Sequence, residues 1–194
     1  SRDSRLIPYF DLPLQHINNE VLKSMNRRGS KEEIIEIIKK IRSRVKNSII
    51  RTTFIVGYPG ESEEQFNELM EFIEEYPFDL LGAFTYSREE GTPAFDFEDQ
   101  VEEQTKQDRA DIIMGMQYDI NAEKNEEKVG KIIKVLCEGF DPVSNTHFGR
   151  SMADAPEIDG KIYFGELTFT PTGCLATYYT DDAQLELGEL LNVN

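Results

Sequence analysis

The chain has 194 residues, 39% of them hydrophobic and 30% charged, which suits one or two globular domains. Its formal charge of −16 argues against a nucleic-acid backbone as the main partner, because phosphates need Lys and Arg to displace their counterions. No apolar run approaches the roughly 20 residues of a membrane span, and Ser1-Arg2-Asp3 opens no signal-peptide pattern, so a cytoplasmic chain cut from something longer is expected.

Residues 6 to 14, LIPYFDLPL, read as a buried strand interrupted by prolines, with Gln15-His16 at its exit. Asn18 offers an N-cap for a short helix carrying Val21, Leu22 and Met25, and Gly29 is its stop. Ser30 and Glu33 then have capping-box spacing. Ile34, Ile38, Ile41 and Val45 follow at helical intervals, which predicts an amphipathic helix over 31–46.

Residues 51 to 61, RTTFIVGYPGE, organise this half of the chain. Phe54-Ile55-Val56 is the run of a buried strand, Gly57-Tyr58-Pro59-Gly60 breaks it, and Ser62 to Gln65 opens a second capped helix. That helix carries Phe66, Leu69, Met70 and Ile73 and stops at Pro77. A third strand is expected at 79–86, and a long polar helix from about 99 to 126 with Val101, Ile112, Ile113, Met116 and Ile120 as its stripe. The order β-α-α-β-α-β-α implies parallel strands joined by helical crossovers.

Composition changes near Gly130. Strand-like runs at 131–138, 161–170, 175–180 and 185–191 alternate with turn clusters, which predicts a small OB-like barrel. The expected division is therefore 1–129, an α/β part with too few strands to close a barrel, and 130–194, all-β. The open edge predicts either pairing with another copy or disorder near residues 1 to 8. Cys137 and Cys174 have no metal-ligand spacing and read as reduced thiols.

Ligands in parallel α/β folds gather where strands end and helices begin. Three exits meet that description: Gln15-His16, Gly57 to Glu61, and Tyr86-Ser87. The glycines would let backbone approach a bound group, and Glu61 could grip a hydroxyl or an amine or simply cap a helix. A lone histidine such as His16 is more often a structural, hydrogen-bonded residue than a ligand. Arg27 could bind a carboxylate or only complement a helix C-terminus. The chain holds no phosphate loop, no GxSxG, no HExxH and no cysteine cluster.

The stretches YFDLPLQH (9–16), VLKSMNRRG (21–29), RTTFIVGYPGESEEQF (51–66), GAFTYSREEGTPA (82–94), GRS (149–151) and APEIDG (155–160) run through nearly the whole chain. With them the sequence resembles the radical S-adenosylmethionine methylthiotransferases. PLQH and APEIDG look like the branch that modifies a ribosomal protein rather than the tRNA-directed branch. The resemblance implies the later strands of a partial radical-SAM, TIM-like barrel followed by a TRAM domain. It also implies S-adenosylmethionine and two [4Fe–4S] clusters in the whole enzyme, which would convert an aspartate of small-subunit ribosomal protein twelve to β-methylthioaspartate.

The family's CxxxCxxC motif is absent, so no cofactor is expected on this chain alone, and it should be inactive by itself. Carried over by motif, Ile55 and Gly57 would pack near the adenine, while Gln15, His16, Tyr86 and Ser87 would face cofactor or substrate. Arg27 would pair with the methionine carboxylate, and Glu61 is a further candidate. Residues 131 to 194 hold four Lys and Arg against ten Asp and Glu. That balance suits a basic ribosomal protein, with Asp154, Glu157 and Asp159 as contact candidates. The competing readings are the tRNA-directed branch and a cluster-free binding module.

Overall fold

A computed structural model describes residues 6–131, 133–156, 160–164, 168–170, 173–175, 179–181 and 184–186. The chain forms two compact units, Ser1–Ala122 and Glu123–Asn194.

In the first unit, strands β1 (Tyr9–Gln15), β2 (Ile49–Val56) and β3 (Leu80–Thr85) form one parallel sheet in the order β1-β2-β3. Helices α1 (Asn19–Ser24), α2 (Lys31–Arg44), α3 (Glu63–Glu75) and α4 (Glu103–Glu126) connect and follow them. The expected β-α-α-β-α-β-α order is what forms. Local chemistry starts each of the first three helices. Asn18 accepts from the Glu20 and Val21 amides, and Ser30/Glu33 and Ser62/Gln65 both close complete capping boxes.

Burial alternates strictly along β2: Ile50, Thr52, Phe54 and Val56 are buried while the residues between them are half-buried. The buried parity packs with Ile34 and Ile38 of α2, Phe66, Leu69, Phe72 and Ile73 of α3, and Ala110 and Ile113 of α4. Phe78 lies edge-on to Phe54, at 5.9 Å between ring centroids. The helices thus cover one face of the sheet. The other face carries Asp11, Arg51, Thr53, Ile55, Gly82 and Phe84, since directly paired strand residues share a face. An Arg51–Asp11 ion pair at 3.0 Å crosses it.

Three expectations are corrected here. The first strand begins at Tyr9 and is half-exposed rather than buried, because it is an edge of the described sheet. The last helix begins at Glu103, which leaves Val101 outside it, and Ile112 is 46% exposed. Its buried stripe is instead Lys106, Arg109, Ala110, Ile113 and Gln117, in which apolar and polar residues mix.

In the second unit, β4 (Val135–Asp141), β5 (Thr146–Ser151) and β6 (Ile162–Phe164) form an antiparallel sheet. Two further pairs are β7 (Thr168–Thr170) with β8 (Gly173–Leu175), and β9 (Tyr179–Asp181) with β10 (Gln184–Glu186). The run 161–170 is therefore split between two sheets. Strand β5 escaped the sequence reading because Gly149 and Arg150 interrupt its pattern. Gly149 is needed there: a Cβ would come within 2.0 Å of the Leu136 carbonyl oxygen. His147 stacks on the buried Phe164 ring at 5.7 Å between centroids.

Candidate functional site

The carboxyl end of β2 is fixed by an unusual amount of buried polar chemistry. Gly57 ends the strand with φ +70, a conformation that favours glycine. A Cβ on it would come within 2.2 Å of Lys106 Cγ. The space left by the missing side chain is therefore occupied by the Lys106 stem from α4, and not by a ligand. Gly60 is different, with φ +81 and open space where its Cβ would project.

Glu61 is buried, and both of its carboxylate oxygens are engaged within the protein. Oε2 accepts the Gly57 amide at 3.0 Å, and Oε1 accepts Arg109 Nη1 at 2.6 Å. The same guanidinium also donates to the Glu61 carbonyl oxygen at 3.2 Å and lies over the Phe66 ring. His16, fully buried, accepts the Asn18 amide on Nδ1 at 3.0 Å, which places the neutral ring's proton on Nε2. Nε2 lies 3.5 Å from Glu61 Oε2, close enough for electrostatic attraction but without a hydrogen bond.

The β3 exit joins the same cluster. The Tyr86 amide donates to the Val56 carbonyl, and the Tyr86 carbonyl accepts Lys106 Nζ at 3.2 Å. Lys106 Nζ also meets Glu103 Oε1 at 2.5 Å and sits 5.3 Å from the Tyr86 ring centroid. Tyr58 reaches sideways: its ring is edge-on to Tyr86 at 5.2 Å and its hydroxyl donates to the Ser24 carbonyl at the end of α1. Val21, Tyr58 and Ala94, with Met25, Tyr86 and Phe97 against them, form a small apolar cap at this rim.

The three exits chosen from the sequence do converge, in that His16, Gly57, Glu61 and Tyr86 are linked through shared partners. The sequence candidates nevertheless sit differently within the cluster. Ile55 is half-buried on the uncovered sheet face, opposite the 59% exposed Phe84. Gln15 has φ +71 and bonds back to the Pro13 carbonyl. Ser87 is exposed and donates to Glu89. Arg27 is exposed and lines a groove beside β1 with Pro13, Leu14 and Leu22. In the second unit, Asp154 Oδ2 accepts from the Ser151 amide and hydroxyl, both at 2.7 Å, while Glu157 and Asp159 lie outside the described residues.

Lys106, Arg109 and Phe84 were missed. A hint for the first two was present: they are basic residues three apart, in helical register with Ala110, Ile113 and Gln117. A search for apolar stripes passes over them.

The chain matches the radical SAM superfamily over residues 2–73 and the TRAM domain over residues 129–193. It is 41% identical over 193 residues to a protein of Bdellovibrio bacteriovorus described as ribosomal protein uS12 methylthiotransferase RimO, covering 98% of this chain and 42% of that protein. The chain joins a region of the radical SAM superfamily to a TRAM domain. Other relatives of the same description come from Acetivibrio thermocellus, 39% identical over 100% of this chain and 39% of the relative, and from Pelotomaculum thermopropionicum, 47% identical over 84% and 37%. The chain thus spans about two-fifths of the length of the curated relatives it matches.

Radical SAM methylthiotransferases use S-adenosylmethionine and iron–sulfur chemistry in general. The uncovered face suits the former. Ile55 and Phe84 offer an apolar surface beside Thr53, and Gly82, opposite Thr53, carries no side chain. The match for a cluster is poor: among the described residues, no group of three or more His, Cys, Asp or Glu could hold a metal ion. No described helix is long and apolar enough to cross a membrane.

Proposed function

We propose that this chain forms one wall of the S-adenosylmethionine site, together with the TRAM domain, of a methylthiotransferase acting on ribosomal protein uS12. The whole protein would convert an aspartate of that substrate to β-methylthioaspartate, with two [4Fe–4S] clusters held by residues outside this chain. The observation that carries the reading is the match to proteins of that description along 98% of the chain. When bound, S-adenosylmethionine supplies the superfamily's radical chemistry.

In this reading Ile55 and Phe84 pack against the adenine, and Gln15, Tyr86 and Ser87 border the cofactor or substrate. Arg27 is kept for the methionine carboxylate. Gly57, Glu61 and His16 act from behind the wall, since their polar groups are directed into the protein. The division into a barrel part, 1–129, and a TRAM domain, 130–194, is retained. So are a cytoplasmic location, a protein rather than a nucleic acid as the main partner, and self-association through the open edge of the described sheet.

The TRAM domain's acidic balance supports a basic protein partner, with Asp154, Glu157 and Asp159 at the contact. Calorimetric titration of the chain with purified uS12, and separately with tRNA, tests this. Binding of uS12 that weakens with salt and with charge reversal at the three acids is expected. Preferential binding of tRNA would overturn the assignment.

A further inference from the structure

The groups that hold the Gly57–Glu61 turn come from α4, a helix that contributes nothing to the proposed cofactor wall itself. Two of its residues, one turn apart, reach both strand exits. Arg109 binds Glu61 through the side chain at 2.6 Å and the main chain at 3.2 Å, and Glu61 in turn binds the Gly57 amide. Lys106 fills the space beside Gly57 with its stem and caps the Tyr86 carbonyl with Nζ. Lys106 and Arg109 are 1% and 6% exposed, so they are shielded from solvent, and their polar ends are engaged by protein groups. A helix that needed burial alone would place apolar residues here. These two instead bond to the loops that follow β2 and β3.

We infer that Lys106 and Arg109 are positioning residues: one turn of α4 sets the β2 turn and the β3 exit against each other, and so places Ile55 and Tyr86 for the cofactor. The chain of action runs from Arg109 through Glu61 to the Gly57 amide, and from Lys106 to the Tyr86 carbonyl. Neither residue touches the cofactor. The inference rests on the S-adenosylmethionine reading of the wall, and its test separates the two.

Two variants keep the packing while removing the bonds. Glu61→Gln/Arg109→Met removes both charges together, which avoids leaving one buried alone. Lys106→Met keeps the stem beside Gly57 and removes the ammonium. Amide hydrogen exchange is read on the chain and on each variant, and calorimetric binding of S-adenosylhomocysteine on the whole protein that carries the chain, with and without the same substitutions. Exchange should quicken at Gly57 to Glu61 in the first variant and at Tyr86 to Arg88 in the second, with α3 and β1 unchanged. Affinity for the probe should fall about tenfold or more, as small displacements of a site do. Arg109→Lys, which retains one charged bond to Glu61, should recover most of that affinity.

Affinity that stays at the parent value while the exits loosen would overturn the inference. So would faster exchange spread evenly over α3 and β1, which marks general loosening. If the unsubstituted whole protein does not bind the probe, the cofactor reading fails. Local quickening would then still uphold the clasp, and unchanged exchange would overturn it.

Discussion

Strand β2 is held at both ends by the same device, an arginine paired with a carboxylate that also accepts a backbone amide. At the amino end, Asp79 Oδ2 accepts the Ile50 amide at 2.8 Å and Arg42 Nη2 of α2 at 2.7 Å, and Arg42 Nη1 donates to the Ser48 carbonyl. At the carboxyl end, Glu61 accepts the Gly57 amide and Arg109 of α4. The bonds are alike in length, but their surroundings are not. The Arg42 and Asp79 side chains are 35% and 17% exposed, against 7% and 0% for Arg109 and Glu61. Water screens the first pair, whereas the second sits where an uncompensated charge is costly. The comparison shows that a local geometry does not fix its energetic weight.

The sharpest way to break this comparison is to remove one member of the buried pair. Arg109→Met leaves the Glu61 carboxylate buried without its cation and should cost about 3–5 kcal/mol in urea unfolding. Adding Glu61→Gln should recover a large part of that loss. A single-variant cost below about 1 kcal/mol would show that the two ends are equivalent after all.

Next in size is Gly57→Ala. It combines the strain of φ +70 with the approach to Lys106 Cγ, and should cost about 2–4 kcal/mol by the same measurement. Adding Lys106→Ala removes the Cγ and Cδ contacts and leaves only the Cβ at 3.0 Å, so the double variant should lose less than the sum of the single ones. Strict additivity would mean that Lys106 does not occupy the glycine's space.

At the amino end, Asp79→Asn should cost only about 1 kcal/mol, because the amide oxygen still accepts from Ile50 and the lost ion pair is partly exposed. Its cost should shrink further in high salt, while that of Arg109→Met should not. A salt dependence of equal size at both ends would contradict the burial argument.

The smallest effect concerns pH. Burial pushes the Glu68 carboxyl up, but hydrogen bonds from Lys31 and Asn18 outweigh it and hold the pKa below the ordinary 4.5. A depressed carboxylate stabilises the fold above its unfolded pKa, and that contribution is lost as pH falls through the folded one. Glu68→Gln should therefore flatten the acid side of the stability curve below about pH 4.5 and leave its alkaline side unchanged. An altered alkaline limb would point to a different group.

Much of the fold was legible because its causes are local. Ser30 with Glu33 and Ser62 with Gln65 sit three residues apart and start their helices on their own. The β2 run, with Gly57 behind it, marks its own end. The motif stretches carry their resemblance without any coordinate. Strand β5 was not legible, since its Gly149 is explained only by the Leu136 carbonyl beneath it.

What the sequence determined by itself was the order of elements, the parallel topology and the three exits that meet at one rim. Tertiary structure alone decided what those exits do. Gly57 looked like room for a ligand and turned out to be room for Lys106, 49 residues later. Glu61 looked like a hand held out to a cofactor and is instead bonded to Arg109, 48 residues away. The physical reason is the same in both cases. Helix caps and glycine turns are fixed by neighbours within a few residues, whereas the partner of a buried charge is set by which helix face the fold lays against it.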